Sequence, residues 1–390
     1  MKTNKSYFLH QLKANSRPLI VVAICVLILG FYICIDNMDR VYTHYYNDDT
    51  QQYVHIIDKE HPNGQYYDEV LDKMVDYKTP PREIKTRELA LYYPVVLLVI
   101  MCYVVPVWMF AFTKKRRNLD CCYSLPISKR GFGMTNYLVG LVLVFIPFLL
   151  SYIQNLIIYA SISFEMFKNL DFSVLTTHFL ICILMGLILY TLFVFVFNEA
   201  NTVLDGCIFI IAYSVIGFFI LLSVSNVFNF NLYDYYVLKL DGECAIPFAY
   251  FGELLSNYET TVERGVMSHI TNAWADKGAK FWFIFWTIVG ILSFVGFVLG
   301  LNNKKAEQTE DISTSVFGYK TLIPLAAIPG VISTLDFNPP YSYGDAISAM
   351  FITLAAVVGY TVYRRGVKYK ISDYVVMGIL LLFTVISASI

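Results

Sequence analysis

Three histidines, His44, His55 and His61, share one segment with many carboxylates, the raw material of a metal site. Their spacings, eleven and then six residues, fit neither a helical face nor a finger-type ligand set. Hydrated surface histidines are therefore expected, and no metal is assigned. Hydrolytic chemistry finds no footing either, because an H-E-x-x-H helix is missing, as is a nucleophile paired with a base. No G-x-x-x-x-G-K-[ST] loop is present to cradle nucleotide phosphates, so any ATP consumed must be hydrolysed by a partner. Ionisable groups within or beside the apolar stretches are few, namely His178, Glu199 and Asp205, which argues against proton or sodium coupling.

The most informative polar segment is Lys114-Lys-Arg-Arg-Asn-Leu-Asp-Cys-Cys-Tyr-Ser-Leu-Pro-Ile-Ser-Lys-Arg130. Leu119, Cys122 and Tyr123 stand at i, i+3 and i+4, which predicts a two-turn amphipathic helix. Pro126 ends it, since the residue before a proline is pushed out of the helical region. Ser128 is then placed to cap the following helix. The product is an elbow, charged at both ends and apolar on one side. Either a partner's groove receives it, or it is a basic loop with no other duty.

Composition sets what must position this elbow. Of 390 residues 57% are apolar and 15% charged, against about a quarter charged in soluble domains, and the mean hydropathy is +0.56. The net charge of −1 lacks the basic excess of a nucleic-acid binder. The apolar residues gather in blocks near the length of a bilayer-crossing helix, roughly 20 residues. Nine blocks are expected to span: Pro18–Ile35, Leu89–Phe112, Asn136–Ala160, Ser173–Phe197, Val203–Val224, Phe281–Leu301, Thr321–Thr334, Ala346–Tyr363 and Tyr374–Ile390. The seventh is short and interrupted by Pro324 and Pro329, and the ninth is marginal in length. The first has a basic flank but no small-residue cleavage site in Cys34–Met38, and is expected to be a retained anchor.

With the N-terminus inside, alternate loops place 17 Lys+Arg in the cytosol and 12 outside, against 7 and 23 acidic residues. The short juxtamembrane clusters follow the positive-inside rule, which sets the N-terminus cytosolic and the C-terminus outside. Ahead of the first span, Phe8, Leu9 and Leu12 share a helical face flanked by Lys5, His10 and Lys13, the pattern of an interfacial helix. Two large exported loops are expected, 36–88 and 225–280. In the first, Tyr67, Val70, Leu71 and Met74 predict an amphipathic helix stopped by Thr79-Pro80-Pro81. The second is rich in tyrosine and contains Ile246-Pro-Phe-Ala-Tyr-Phe251. Of the eight cysteines, Cys244 alone falls in an exported loop, so no disulfide framework holds these loops.

The elbow also carries a resemblance. Ser124-Leu125-Pro126-Ile127-Ser128-Lys129-Arg130, followed by Asn136-Tyr-Leu-Val-Gly140, resembles the cytosolic loop of ABC-2 type transporter permeases, in which a short coupling helix precedes a Leu-Pro-Ile/Val-Ser-Arg/Lys stretch. Asp120 stands where that family often has an acidic residue, and the N-terminal amphipathic segment resembles its elbow helix. Lys304-Lys-Ala-Glu307 is similar to a sequence after the sixth span in a Gram-positive bacterial subgroup with further C-terminal spans.

The resemblance implies an all-α polytopic membrane protein with an N-terminal interfacial helix (1–17), a six-span permease core (18–301, coupling loop 113–135) and a C-terminal extension of about three spans (302–390). It implies a multi-pass subunit of the bacterial cytoplasmic membrane that exports an amphiphile such as a lipid, peptide or antimicrobial. No cofactor is bound directly; ATP and Mg are used by a partner ATPase subunit. A second permease subunit, identical or related, completes the assembly in the lipid bilayer, and no nucleic acid is involved. The expected ATPase contacts are Arg116, Arg117, Leu119, Asp120, Cys122, Tyr123, Leu125, Pro126, Ile127, Lys129 and Arg130. The alternative from another class is a membrane scaffold or envelope-sensing subunit that transports nothing. The region between spans five and six often dips back into the membrane in the resembled family.

Overall fold

In hydrocarbon the backbone can satisfy its polar groups only with itself, and the apolar blocks answer with helices. The computed structural model describes residues 5–38, 41–47, 52–54, 65–68, 73–76, 82–87, 91–124, 126–162, 172–228, 245–248, 250–251, 277–303, 307, 309–311, 313, 315–334, 343–364 and 366–389. Its helices are α1 Lys5–Ala14, α2 Ser16–Met38, α3 Tyr92–Phe110, α4 Arg116–Tyr123, α5 Lys129–Ile162, α6 Phe172–Glu199, α7 Val203–Phe228, α8 Lys277–Asn303, α9 Tyr319–Ile332, α10 Tyr343–Arg364 and α11 Ile371–Ser389. Among the described residues seven helices are long and apolar enough to cross a bilayer: α2, α3, α5, α6, α7, α8 and α10. The two blocks read as short or marginal, α9 and α11, form shorter apolar helices. Large apolar side chains point outward along them, among them Ile28, Ile211, Ile291 and Leu382. Water would penalise that surface and lipid does not. This is a multi-pass membrane protein.

Between α2 and α3 the chain forms strands. β1 (Val41–Asn47) is central in an antiparallel sheet between β2 (Gln52–Val54) and β5 (Arg82–Arg87), and β3 (Gln65–Asp68) pairs with β4 (Lys73–Asp76). The amphipathic helix expected through Tyr67 and Met74 is therefore corrected, since these two residues face each other across the β3–β4 pair. Tyr66, Tyr67 and Val75 suit a pleated strand, and a short helical spacing is satisfied equally well by two strands and a turn. Val70 and Leu71 lie outside the described residues, as do His55 and His61, while His44 lies in β1.

α6 is the most buried span and packs on α3, α5, α7 and α8. Gly140 of α5 is needed for this, because a Cβ there would stand 1.9 Å from Tyr190 Oη. That hydroxyl donates to Tyr137 O at 3.2 Å, and Tyr137 and Thr191 share a hydrogen bond at 2.7 Å. α2 is pinned by two side chains that donate to its carbonyls, Tyr93 Oη to Val26 O (2.8 Å) and Gln154 Nε2 to Leu27 O (2.7 Å). Each such bond in a bilayer contributes on the order of 0.6 to 2 kcal/mol.

Residues 245–248 and 250–251 lie alongside the helices at mid-span depth. A Cβ on Gly217 would meet Ala245 O at 2.8 Å, Phe248 lies edge-on to Tyr103, and Tyr250 and Phe251 are buried. Gly217, in the middle of α7, leaves the space that this carbonyl occupies.

A second buried cluster joins α9, α10 and α11 through Ala327, Val331, Ala349, Ala356 and Leu380. Thr353 and Thr384 bridge α10 and α11 at 2.8 Å. α9 is attached to α7 by Ser223 Oγ, which donates to Pro329 O at 2.5 Å. At the α10–α11 turn Arg364 makes a bidentate pair with the buried Asp373 (Nε to Oδ2 2.7 Å, Nη2 to Oδ1 2.9 Å), and Lys370 N donates to the same carboxylate. Asp373→Ala leaves Arg364 unpaired where water is scarce and is expected to lower stability by about 2 kcal/mol, between surface-pair and buried-pair values. Thermal unfolding in nanodiscs checks this, and the double variant with Arg364→Ala should lose less than the two single losses added together.

Candidate functional site

The elbow lies at the end of the bundle where α3, α6 and α8 stop and α5, α7 and α9 start. The segments read as cytosolic gather here, as Tyr7 stacks on Phe132, Arg116 meets Glu310, and Tyr319 meets Tyr363. α4 ends ahead of Pro126, and Ser128 Oγ accepts from Gly131 N at 3.1 Å to cap α5, as the sequence predicts.

Lys114 is the anchor of this region. Its side chain is buried, and Nζ donates to Ala200 O at 2.5 Å, Phe197 O at 2.8 Å and Asn198 O at 3.4 Å, while resting 4.8 Å from the Phe197 ring centroid. An ammonium is thus set on carbonyls at the C-terminus of α6, where the helix dipole favours positive charge. The α4 N-terminus is served from a distance, since Arg116 N donates to Glu310 Oε1 at 3.4 Å. Glu310 adopts φ 73°, sparsely populated without glycine, and its own N–H donates to Asn201 O at 3.3 Å. Glu310 therefore ties α4 to the α6–α7 turn.

Ser313, Ser315 and Tyr319 take up the two carboxylates. Ser315 Oγ donates to Glu199 Oε2, Ser313 Oγ donates to Glu199 O at 2.8 Å, and Tyr319 Oη donates to Asp205 Oδ1 at 2.6 Å. Thr202 Oγ1 caps α7 by accepting from Asp205 N. His178 is buried near the far end of α6 beside Tyr152 Oη.

The expected contact residues divide into two sets. Arg116, Arg117, Asp120, Pro126, Lys129 and Arg130 are exposed, and Ile127 is half-buried. Leu119 is only 2% exposed, which corrects its assignment as an apolar contact offered to a partner. A two-turn helix lying on the bundle spends its apolar face on its own chain. Cys122 is half-buried near Tyr7, whose hydroxyl burial pushes up to about 12. Leu125 and the side chain of Tyr123 lie outside the described residues. On α1, Tyr7 is the buried residue, Phe8 and Leu12 are half-buried and Leu9 is exposed. Among the described residues no cluster of three or more metal-ligating side chains occurs.

No known protein family, curated protein or solved structure matches this chain.

Lys114→Met removes the ammonium that bridges these α6 carbonyls. It should lower the unfolding midpoint, by about 2 kcal/mol in stability, and speed tryptic cleavage after Arg116 and Arg117, whereas the exposed Lys115→Met should do neither. The adjacent cysteines differ as well. Cys121 is exposed, while burial first and the neighbouring Cys121 second raise the Cys122 thiol. Because the thiolate reacts, a chain with only Cys121 should be alkylated faster at pH 7.5 than one with only Cys122, whose rate should keep climbing past the ordinary thiol range.

Proposed function

We propose that this chain is the permease subunit of a bacterial ABC transporter, spanning the cytoplasmic membrane with its N-terminus in the cytosol and its C-terminus outside. A separate ATPase, using ATP and Mg, docks on α4 and residues 126–130. A second permease subunit, identical or related, completes the pathway, through which an amphiphile is exported.

The observation that carries this reading is the mounting of α4. It joins α3 to α5, Lys114 fastens its root to α6, and Glu310 accepts from the backbone N–H of Arg116 at its first turn. A push on α4 is thereby delivered to several spans at once. The surface that α4 leaves outward is charged, with Arg116, Arg117 and Asp120 on the helix and Lys129 and Arg130 beside it. Docking is accordingly electrostatic in character, and the buried Leu119 seats the helix.

The test uses Arg116→Glu with Arg117→Glu, both at exposed positions where folding cost is small. Tagged chain is purified from its own host in mild detergent, and bound proteins are identified by mass spectrometry. The wild type should retain an ATPase with a phosphate-binding loop, and the double variant should lose it at least about tenfold at unchanged yield and unfolding midpoint. Absence of any nucleotide-binding partner from detergent and nanodisc preparations, or full retention by the variant, would overturn the reading.

A further inference from the structure

Between α6, α7 and α8, and bounded by Ser313, Ser315 and Phe317, lies a cavity of about 740 Å³, within the size range of sites for small organic molecules. α6 and α8 run in the same direction along it, as Gly290 faces Ile188, Gly296 faces Phe195 and Gly300 faces Glu199. From Val289 to Gly300 the α8 wall is roughly 16 Å long at 1.5 Å per residue. Leu292 and Leu299 line the cavity and are also exposed on the outer surface of the bundle, so it opens sideways toward the bilayer.

The two ends of this groove differ in chemistry. Leu192, Val289 and Leu292 line one, while Asn198, Glu199, Ser313 and Ser315 line the other. Among the described residues Glu199 is the one charged side chain in the lining; Lys114, held by the nearby carbonyls, is not part of it. Ser315 occupies Glu199 Oε2, and at Gly300 the missing side chain keeps open the space beside Oε1, which a Cβ would approach to 3.4 Å. A carboxylate with a free oxygen at the mouth of an apolar trough selects a cation that carries a tail. An anionic head placed there would meet like charge and lose its hydration.

We propose that this groove binds an amphiphilic cation, with an ammonium head on Glu199 and a single alkyl or aryl tail along the α6–α8 wall. Binding stands independently of ATPase docking; only counting the molecule as cargo rests on the transporter reading. The probe is a dodecylamine bearing a photoactivatable diazirine in its chain, added to the full chain in nanodiscs of zwitterionic lipid at pH 7. A diazirine-bearing dodecanoic acid serves as the anionic control, and labelled residues are mapped by mass spectrometry. Glu199→Gln removes the charge while keeping an acceptor for Ser315, and Leu292→Trp fills the trough from an exposed position. The amine should label α6 and α8 residues of the groove saturably and be displaced by plain dodecylamine. Its apparent affinity should fall about tenfold in Glu199→Gln, and labelling should be blocked in Leu292→Trp. Equal labelling by the acid, unchanged labelling in both variants, or no label in the groove would overturn the proposal, the first two outcomes marking a passive lipid crevice. None of these readouts involves the ATPase, so failure here and failure of the docking reading are distinguishable.

Discussion

Where α6 stops, Lys114, arriving from the end of α3, sets one ammonium on the carbonyls of Phe197, Asn198 and Ala200. A lysine buried here without acceptors would be costly, and these three oxygens offset that cost. The contact holds the end of α3 against the end of α6. The α6–α7 turn and the root of α4 are built around that joint.

Glu310, Ser313 and Ser315 make the joint two-sided. Glu310 serves the N-terminus of α4, while Ser313 and Ser315 hold Glu199 at the mouth of the lateral groove. A displacement of α4 and an occupant of the groove would each bear on these neighbouring residues. The two proposals meet there, because coupling needs a shared element that both sites bias.

Much of the architecture was legible in the residues. Block length and hydropathy set the spans, and the shortness of the Pro324–Pro329 block reappears as the 14-residue α9. Pro126 and Ser128 marked the end of α4 and the start of α5, because local backbone rules need no distant partner. What could not be read is partnership. Lys114 looks like its basic neighbours until α6 is placed beside it, Glu310 caps a helix 194 residues earlier in the chain, and Gly140 makes sense only against Tyr190. The periodicity at Leu119 and Cys122 correctly defined an apolar face, but a face does not say whether its own bundle or a visitor will cover it. Tyr67 and Met74 show the converse failure, in which a short helical spacing belonged to two paired strands.

The central claim, that α4 is where an external motor grips the bundle, is tested most directly from Cys121, the exposed thiol on its outer surface. A chain retaining Cys121 as its sole cysteine would carry a short photo-crosslinker there and be irradiated in its native membranes, with and without ATP, and the adducts sequenced. The account predicts one dominant adduct to an ATPase with a phosphate-binding loop, its yield changing with nucleotide. Adducts to lipid alone, or to proteins without nucleotide-binding loops and indifferent to ATP, would contradict it.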